Sequence, residues 1–283
     1  MPTLHILRAG TPQPRSERWG TAFALEMADE TIVVDCGPCA TGQLVAAGLS
    51  LRDVNWLFFT HHHSDHNADY PSLFLFRWDQ CTGEEAPLQV VGPPPTEHVT
   101  EHLFGPDGAY RDDIAARIDH PASEYWHTAR GGSLPRPGPS FQARDVNPGE
   151  KVEGANWTAR CAEVDHMQPW LRTYAWRFDW DGGSICFSGD TTSRETVSEL
   201  ATDVGTLVAN VTTRQGRQPE GLPASTYCTI DAAKVAADAG AERLVLAHLT
   251  QSVIDARDDV LGEMAQVYDG EVILAEELMS VEL

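Results

Sequence analysis

The stretch from Thr60 to His66 constrains this chain most, because it places several histidines and one aspartate directly after an apolar run. That run, residues 55–60, has the composition of a buried strand. Imidazole and carboxylate groups are costly to bury unless something binds them. Side chains two residues apart on an extended chain point the same way, and these donor types suit zinc, iron or manganese. The stretch therefore predicts a metal site, with a solvated polar turn as the alternative.

Around this stretch, short apolar runs alternate with segments of helical pattern. Residues 4–7, 22–27, 31–34 and 88–91 are typical of strands, and the second half of the chain repeats the rhythm. The pattern indicates one layered α/β domain over residues 1–283.

Residues 105–148 differ from the rest of the chain in composition. They are rich in Gly, Pro and Asp, their periodicity is weak, and they contain the aromatic pair Tyr125-Trp126. Long irregular segments inside a compact domain are commonly binding loops or lids. We therefore expect a lid inserted at residues 105–148.

The charge balance bears on the partners of the protein. The formal net charge is −22, and the only lysines are Lys151 and Lys234. Such a chain is poorly suited to sequence-independent binding of phosphate backbones, so no nucleic-acid partner is expected. No apolar run reaches the length of a membrane span, so no membrane partner is expected either. The first residues show no secretory leader, which favours a cytoplasmic location.

The histidine stretch resembles a known motif. His61-x-His63-x-Asp65-His66 is similar to the HxHxDH motif of the metallo-β-lactamase superfamily. Further landmarks stand in the order typical of the ribonuclease Z and arylsulfatase-like branch, namely VVDCGP, LQVVGPP, EVDH, CFSGDT and LVLAHL. The resemblance covers nearly the whole chain, and it implies an αββα metallo-β-lactamase sandwich with a binuclear metal site at the strand ends.

The resemblance also implies a role for each matched residue. It implies two divalent ions, most typically Zn²⁺, with Mn²⁺ or Fe²⁺ as alternatives. The first ion would be bound by His61, His63 and His166. The second would be bound by Asp65, His66 and His248. Asp190 would bridge the two ions, and Asp35 resembles the carboxylate that orients one of the histidine ligands. His62 alternates away from its neighbours, and we interpret it as lying behind the ligands or at the surface.

Two positions depart from the members of this branch that process transfer RNA. Those members carry a glutamate in the strand after the bridging aspartate and a histidine that opens the next helix. Here we expect Val211 to replace the glutamate and Tyr227 to replace the histidine. A phenol with a pKa near 10 is a poor proton shuttle at neutral pH, although it still donates a hydrogen bond. Tyr227 therefore remains a candidate catalytic residue beside Asp65.

Together these observations predict a metal-dependent hydrolase. A metal-bound hydroxide, oriented by Asp65, would attack a small, aromatic ester, lactone, sulfate ester or activated aryl ether. Trp126 and Trp170 are expected to line the substrate pocket. The alternatives are a small-nucleotide phosphodiesterase, iron-dependent redox chemistry, and a non-catalytic or partner subunit on the same fold. The expected partner is a small-molecule substrate, and a homo- or hetero-oligomer is left open.

Overall fold

The computed structural model describes residues 1–218, 221 and 223–283. Seven strands form the first of two sheets: β1 (Thr3–Ala9), β2 (Thr21–Glu26), β3 (Thr31–Val34), β4 (Val54–Phe58), β5 (Leu88–Gly92), β6 (Phe141–Asp145) and β15 (Met279–Glu282). Their order across the sheet is β15-β1-β2-β3-β4-β5-β6. Strands β15 to β3 pair antiparallel, and β3 to β6 pair parallel, so the carboxyl ends of β3, β4, β5 and β6 share one edge.

The second sheet contains β7 (Lys151–Glu153), β8 (Trp157–Val164), β9 (Thr173–Trp180), β10 (Gly183–Phe187), β11 (Thr206–Thr213), β12 (Tyr227–Cys228), β13 (Arg243–Ala247) and β14 (Glu271–Leu274). Its order is β14-β13-β11-β10-β9-β8-β7, and β12 pairs with β11 outside this path. The strands β10, β11, β13 and β14 run parallel. Strands β9 and β10 form a hairpin around Asp181 and Gly182, where the positive φ of 91° suits glycine.

Helices connect the strands, and their bounds are α1 (Ala40–Ala46), a 3₁₀ turn (Leu51–Asp53), α2 (Ser64–Asn67), α3 (Tyr70–Gln80), α4 (Thr96–Phe104), α5 (Arg111–Asp119), α6 (Pro121–Ala129), α7 (Arg194–Leu200), α8 (Thr229–Ala239), α9 (Gln251–Ile254) and α10 (Arg257–Met264). Local sequence explains the ends of α8. Cys228 and Asp231 form a reciprocal cap at its start, and Gly240 ends it with a φ of 66°.

Three apolar clusters fill the spaces between four layers. The middle cluster lies between the sheets, and its aromatic centre is Phe58, whose ring lies 4.9 Å from that of Trp176 and 5.0 Å from that of Phe178. A second cluster lies between the first sheet and α1, α3 and α4. A third lies between the second sheet and α7, α8 and α10. The prediction of an αββα sandwich is confirmed. Within the described part of the chain, no helix has the length and apolar character needed to cross a membrane.

Residues 105–148 are not the irregular segment that the sequence suggested. They form α5, α6 and β6. Part of the segment contacts the carboxyl end of α3, where Asp79 binds Arg130 and Arg136. The nearby Arg77 donates from Nε to the carbonyl of Val54, the first residue of β4. Helix α6 and the loop after it therefore pack at the amino ends of the strands, whereas the histidine stretch follows the carboxyl end of β4.

This position bears on two expectations. Helices α5 and α6 do not lie over the histidines, because α3 spans about 16 Å between its start beside them and its far end, so the lid at residues 105–148 stays a prediction that this position does not favour. Trp126 lies on α6, is 59% exposed, and contacts the ring of Tyr125 at 5.2 Å. Its role in a substrate pocket stays a prediction that this position does not favour.

Candidate metal centre

Seven His and Asp side chains meet where the carboxyl ends of strands from both sheets come together. They are His61 and His63 after β4, Asp65 and His66 on α2, His166 after β8, Asp190 after β10, and His248 after β13. Each of these residues lies on a helix or within about three residues of a strand or helix, so rigid backbone positions its side chain. The short helix α2 follows the bend at His63 and returns His66 into the interior.

Three imidazoles form one end of this cluster. His61 Nε2 lies 3.1 Å from His63 Nδ1, and His166 Nε2 lies 3.2 Å from the same atom. A divalent ion bound by nitrogen ligands at about 2 Å separates them by roughly 3 Å, so these atoms have the spacing of a ligand set. His63 and His166 are the half-buried members of the seven, which places the open side of the cluster here.

Asp65, His66 and His248 form the other end. Asp65 Oδ2 lies 3.2 Å from His248 Nε2 and 3.6 Å from His66 Nε2. Asp190 lies between the two ends of the cluster. Its Oδ1 is 3.6 Å from His66 Nε2, while its Oδ2 is 3.4 Å from His248 Nε2 and 3.9 Å from His166 Nε2.

Hydrogen bonds behind the cluster fix which ring nitrogens face inward. His66 donates from Nδ1 to Asp35 Oδ2 at 2.7 Å, so its Nε2 points into the cluster, where it is buried and has no hydrogen-bond partner among the described residues. His166 donates from Nδ1 to the carbonyl of Ser225 at 2.6 Å. Asp35 is held in turn by Thr60, whose N–H and hydroxyl both donate to it at 2.8 Å.

The backbone is strained at two of these positions. Asp35 has a φ of 59° and His248 a φ of 56°, and both are residues with a Cβ in the left-handed region. Strain of this kind persists where the surrounding structure fixes the conformation, and it is concentrated at functional sites. At both positions the strained residue ends a strand and turns its side chain toward the cluster.

The electrostatic environment favours a neutral His61, a neutral His63 and charged carboxylates. Burial and the neighbouring imidazoles lower the pKa of His61 well below its usual value, and burial lowers the pKa of His63. Burial alone would raise the pKa of Asp190, but His248 and His66 outweigh burial and hold that pKa well below its usual value. For Asp65, the hydrogen bond from His248 likewise outweighs burial and lowers the pKa. A neutral His61 and His63 and a charged Asp65 and Asp190 are the protonation states that bind a cation. At His66, burial acts to lower the pKa, but the carboxylates of Asp35 and Asp190 outweigh burial and raise that pKa well above its usual value.

The donor set fits a divalent metal ion. Nitrogen and carboxylate donors converge, and one inward nitrogen is buried with no partner in the part of the chain that the structure describes. The inward atoms fall into groups of three, and within each group they lie within 4.8 Å of one another. Imidazole and carboxylate together suit zinc, iron or manganese.

His62 and Tyr227 point elsewhere. His62 Nε2 lies 2.8 Å from Thr96 Oγ1 and its ring packs on Phe59, and burial lowers its pKa to about 4. Tyr227 is fully buried, and its hydroxyl donates to the carbonyl of Ser193 at 2.8 Å. Burial also raises its pKa well above 10. The catalytic role suggested for Tyr227 stays a prediction, and the hydrogen bond to Ser193 does not favour it because it directs the hydroxyl away from the cluster.

The structure corrects the expectation for Val211 and shows a residue that sequence reasoning missed. Val211 is fully buried in the apolar cluster between the second sheet and α8, so it faces away from the metal centre. Its neighbour Asn210 faces the centre and donates from Nδ2 to Asp190 Oδ1 at 2.8 Å. The alternation of side chains along β11 was the available signal, because residues 210 and 211 of a strand cannot point to the same face.

Comparison with known proteins agrees with this fold. The family model described as the beta-lactamase superfamily domain matches residues 30–249, so the chain belongs to this superfamily, and it is a hydrolase of the metallo-β-lactamase fold. Among its relatives are proteins named Ribonuclease Z. The one from Mycobacterium marinum (strain ATCC BAA-535 / M) is 27% identical over 98% of this chain and 97% of its own length. The one from Mycobacterium sp. (strain KMS) is 29% identical over 98% and 95%.

Solved structures show the same fold. YhfI from Bacillus subtilis, a metallo-beta-lactamase fold protein, aligns with a TM-score of 0.75 and 17% identity, and the alignment covers 100% of both chains. The short form of human tRNase Z aligns with a TM-score of 0.70 and 19% identity over 99% of this chain and 98% of its own.

These relatives overturn two expectations from the sequence. A small aromatic ester, lactone, sulfate ester or aryl ether was expected as substrate, and nucleic acid was excluded as a partner. Both expectations were wrong, because the relatives that match over the full chain are named for action on RNA. The physical reason is that net charge describes the whole surface, whereas a substrate phosphate contacts only a few groups at one site.

Proposed function

We propose that this chain is a metal-dependent phosphodiesterase that cleaves RNA, with transfer RNA as the substrate class. The observation that carries the proposal is the converged cluster of seven His and Asp donors in a chain related over its full length to proteins named Ribonuclease Z. A cytoplasmic location belongs to the same proposal.

We assign two divalent ions, zinc in the first instance, to the cluster. His61, His63 and His166 would bind one ion. Asp65, His66 and His248 would bind the other. Asp190 would bind both, since its two oxygens face both ends of the cluster. Two such ions, when bound, polarise a phosphoryl oxygen and lower the pKa of water.

The protein supplies orientation around these ions. Asp65 directs Oδ2 toward His248 and His66, and we assign its Oδ1 to accept a proton from water. The half-buried His63 and His166 border the side through which a phosphate group enters. Burial of the remaining donors excludes bulk water from the back of the site and strengthens each electrostatic contact there.

Recognition of the phosphate is assigned to the metal centre and not to arginines. Arg172, Arg194 and Arg214 are basic residues that stand near the site motifs in the sequence. Each is paired, with Glu163 at 2.6 Å, with Asp231 at 3.5 Å and with Glu263 at 2.7 Å. A guanidinium group paired with a carboxylate attracts a polyanion only weakly, because the two charges largely cancel. The net charge of −22 likewise gives no general attraction for a polyanion.

Trp170 supplies a surface for a base beside this centre. It lies four residues after His166, in the loop between β8 and β9, and is 87% exposed. An indole ring stacks on any base, and such contacts contribute about 1–3 kcal/mol each. We assign Trp170 to stack on a nucleotide next to the phosphate that is cleaved.

The experiment is cleavage of a transfer-RNA transcript that carries a 3′ extension, with zinc or manganese supplied. We expect a single metal-dependent cut near the 3′ end of the folded RNA, and loss of the cut in His63→Ala. An unstructured RNA of equal length serves as the substrate control. Turnover of small phosphodiesters without cleavage of any RNA would refute the proposal in favour of a nucleotide phosphodiesterase.

A further inference from the structure

Asn210 joins the metal centre from a strand that contributes none of the seven donors. It lies on β11 and is 3% exposed. Its Nδ2 donates to Asp190 Oδ1 at 2.8 Å. A buried amide that donates to a carboxylate keeps its N–H group toward that carboxylate, because its own carbonyl oxygen would repel it. The contact therefore has a defined direction.

The backbone at Asn210 is itself fixed. Its N–H donates to Ser188 Oγ at 3.1 Å, and that hydroxyl donates to the carbonyl of Gly189 at 2.7 Å. The N–H of Ser188 donates to the carbonyl of Val208 at 2.9 Å. These bonds join β11 to the turn that carries Asp190, so the amide and the carboxylate belong to one rigid unit.

Asp190 needs such a restraint more than the other donors do. Its carboxylate faces His66 through one oxygen and His248 and His166 through the other. The terminal torsion of an aspartate is broad, so nothing in the side chain itself keeps both oxygens in these directions. A donor on Oδ1 from a fixed partner removes that freedom.

We propose that Asn210 is a positioning residue that holds Asp190 across both ends of the metal centre. This inference rests on the metal site of the proposed function. The amide is neutral, so it orients Asp190 without adding a further negative charge to the centre. A carboxylate at this position would instead face Asp190 as a like charge.

The test compares metal binding in two variants without RNA present. Asn210→Leu keeps the volume and removes the donor, and Asn210→Asp keeps the shape and leaves only acceptors. Competition with a chromophoric zinc chelator measures affinity, and metal analysis after gel filtration measures stoichiometry. We expect both variants to bind zinc about 10–100-fold more weakly than the parent chain, a loss typical of partners behind metal ligands.

The matched control is Thr206→Val, on the same strand and 2% exposed, which removes a hydroxyl far from the cluster. It should bind zinc as the parent chain does. Parent-like zinc affinity in Asn210→Leu, or a fall in affinity in Thr206→Val equal to that in Asn210→Leu, would overturn the inference. If Asn210→Leu does not fold, Asn210→Asp decides by the same chelator assay, with the metal-free Tm as the check on folding. Because zinc is measured directly, failure of RNA cleavage in the parent chain would refute the proposed substrate and leave this inference standing.

Discussion

Single hydrogen bonds behind the cluster decide which atoms of the metal centre face inward. Asp35 accepts from His66 Nδ1 and from both donors of Thr60, and it is 1% exposed. An imidazole that donates from Nδ1 leaves Nε2 with a lone pair for a cation. The carboxylate thus selects the tautomer of His66 as well as its orientation.

Replacing Asp35 by Asn should weaken metal binding at the end of the cluster that contains His66. Asn tolerates the left-handed φ of 59°, so the turn should be retained. An amide cannot accept all three bonds, and an N–H facing His66 would move the ring proton to Nε2. We expect zinc affinity to fall about 10–100-fold. Chelator competition measures it, with the exposed Asp53→Asn as control. Unchanged affinity would show that Asp35 serves only the strand end.

At the scale of elements, the sequence predicted the structure best at positions where a side-chain pattern coincides with the end of a strand. The run before His61 and the landmarks at residues 33–38 and 186–191 located strand ends that do converge in the structure. Helices α5 and α6 were missed because α5 buries none of its residues and α6 buries only His127, so neither shows a clear apolar stripe. Asn210 was missed because the sequence motif was matched by residue type alone, without asking which face of the strand each side chain occupies.

The turn between α3 and β5 is held by one carboxylate, and its stability should depend on pH. Glu85 accepts the N–H groups of Thr82 and Gly83 at 2.9 Å and pairs with Arg52 at 2.6 Å. Burial would raise the pKa of Glu85, but these donors outweigh burial and lower it to about 2. The folded state thus prefers the charged form, so the stabilisation is complete above pH 4.5 or so and is lost as the pH falls toward 2.

Glu85→Gln should therefore lower the free energy of unfolding by about 1–2 kcal/mol at pH 7, the scale of lost charge-assisted hydrogen bonds. The difference from the parent chain should shrink steadily between about pH 5 and pH 2. Urea unfolding at several pH values measures both effects, and Glu84→Gln, at an exposed neighbouring position, is the control. A difference that stays constant down to pH 2.5 would contradict the assignment.

At the scale of the whole molecule, the two edges of the sandwich hold different groups of residues. The carboxyl ends of the strands carry the donors, and the opposite edge carries α5, α6 and the cluster of Arg130, Arg136 and Asp79. One strongly exposed tryptophan lies on each edge: Trp170 is 87% exposed near His166, and Trp126 is 59% exposed on α6. Sequence alone could not separate these two tryptophans, because both precede or follow a histidine by a few residues.

The pair offers a matched comparison for RNA binding. Trp170→Ala should raise KM for a transfer-RNA transcript by roughly 5–150-fold, because one stacked base is lost at about 1–3 kcal/mol. Its kcat should change less, since the metal donors stay in place. Trp126→Ala removes another exposed indole, at the far edge, and should leave KM unchanged. Steady-state cleavage under saturating zinc measures both variants. Equal KM values for Trp170→Ala and the parent chain would show that the exposed indole beside His166 does not contact RNA, and a rise confined to Trp126→Ala would move the RNA-binding surface to the opposite edge.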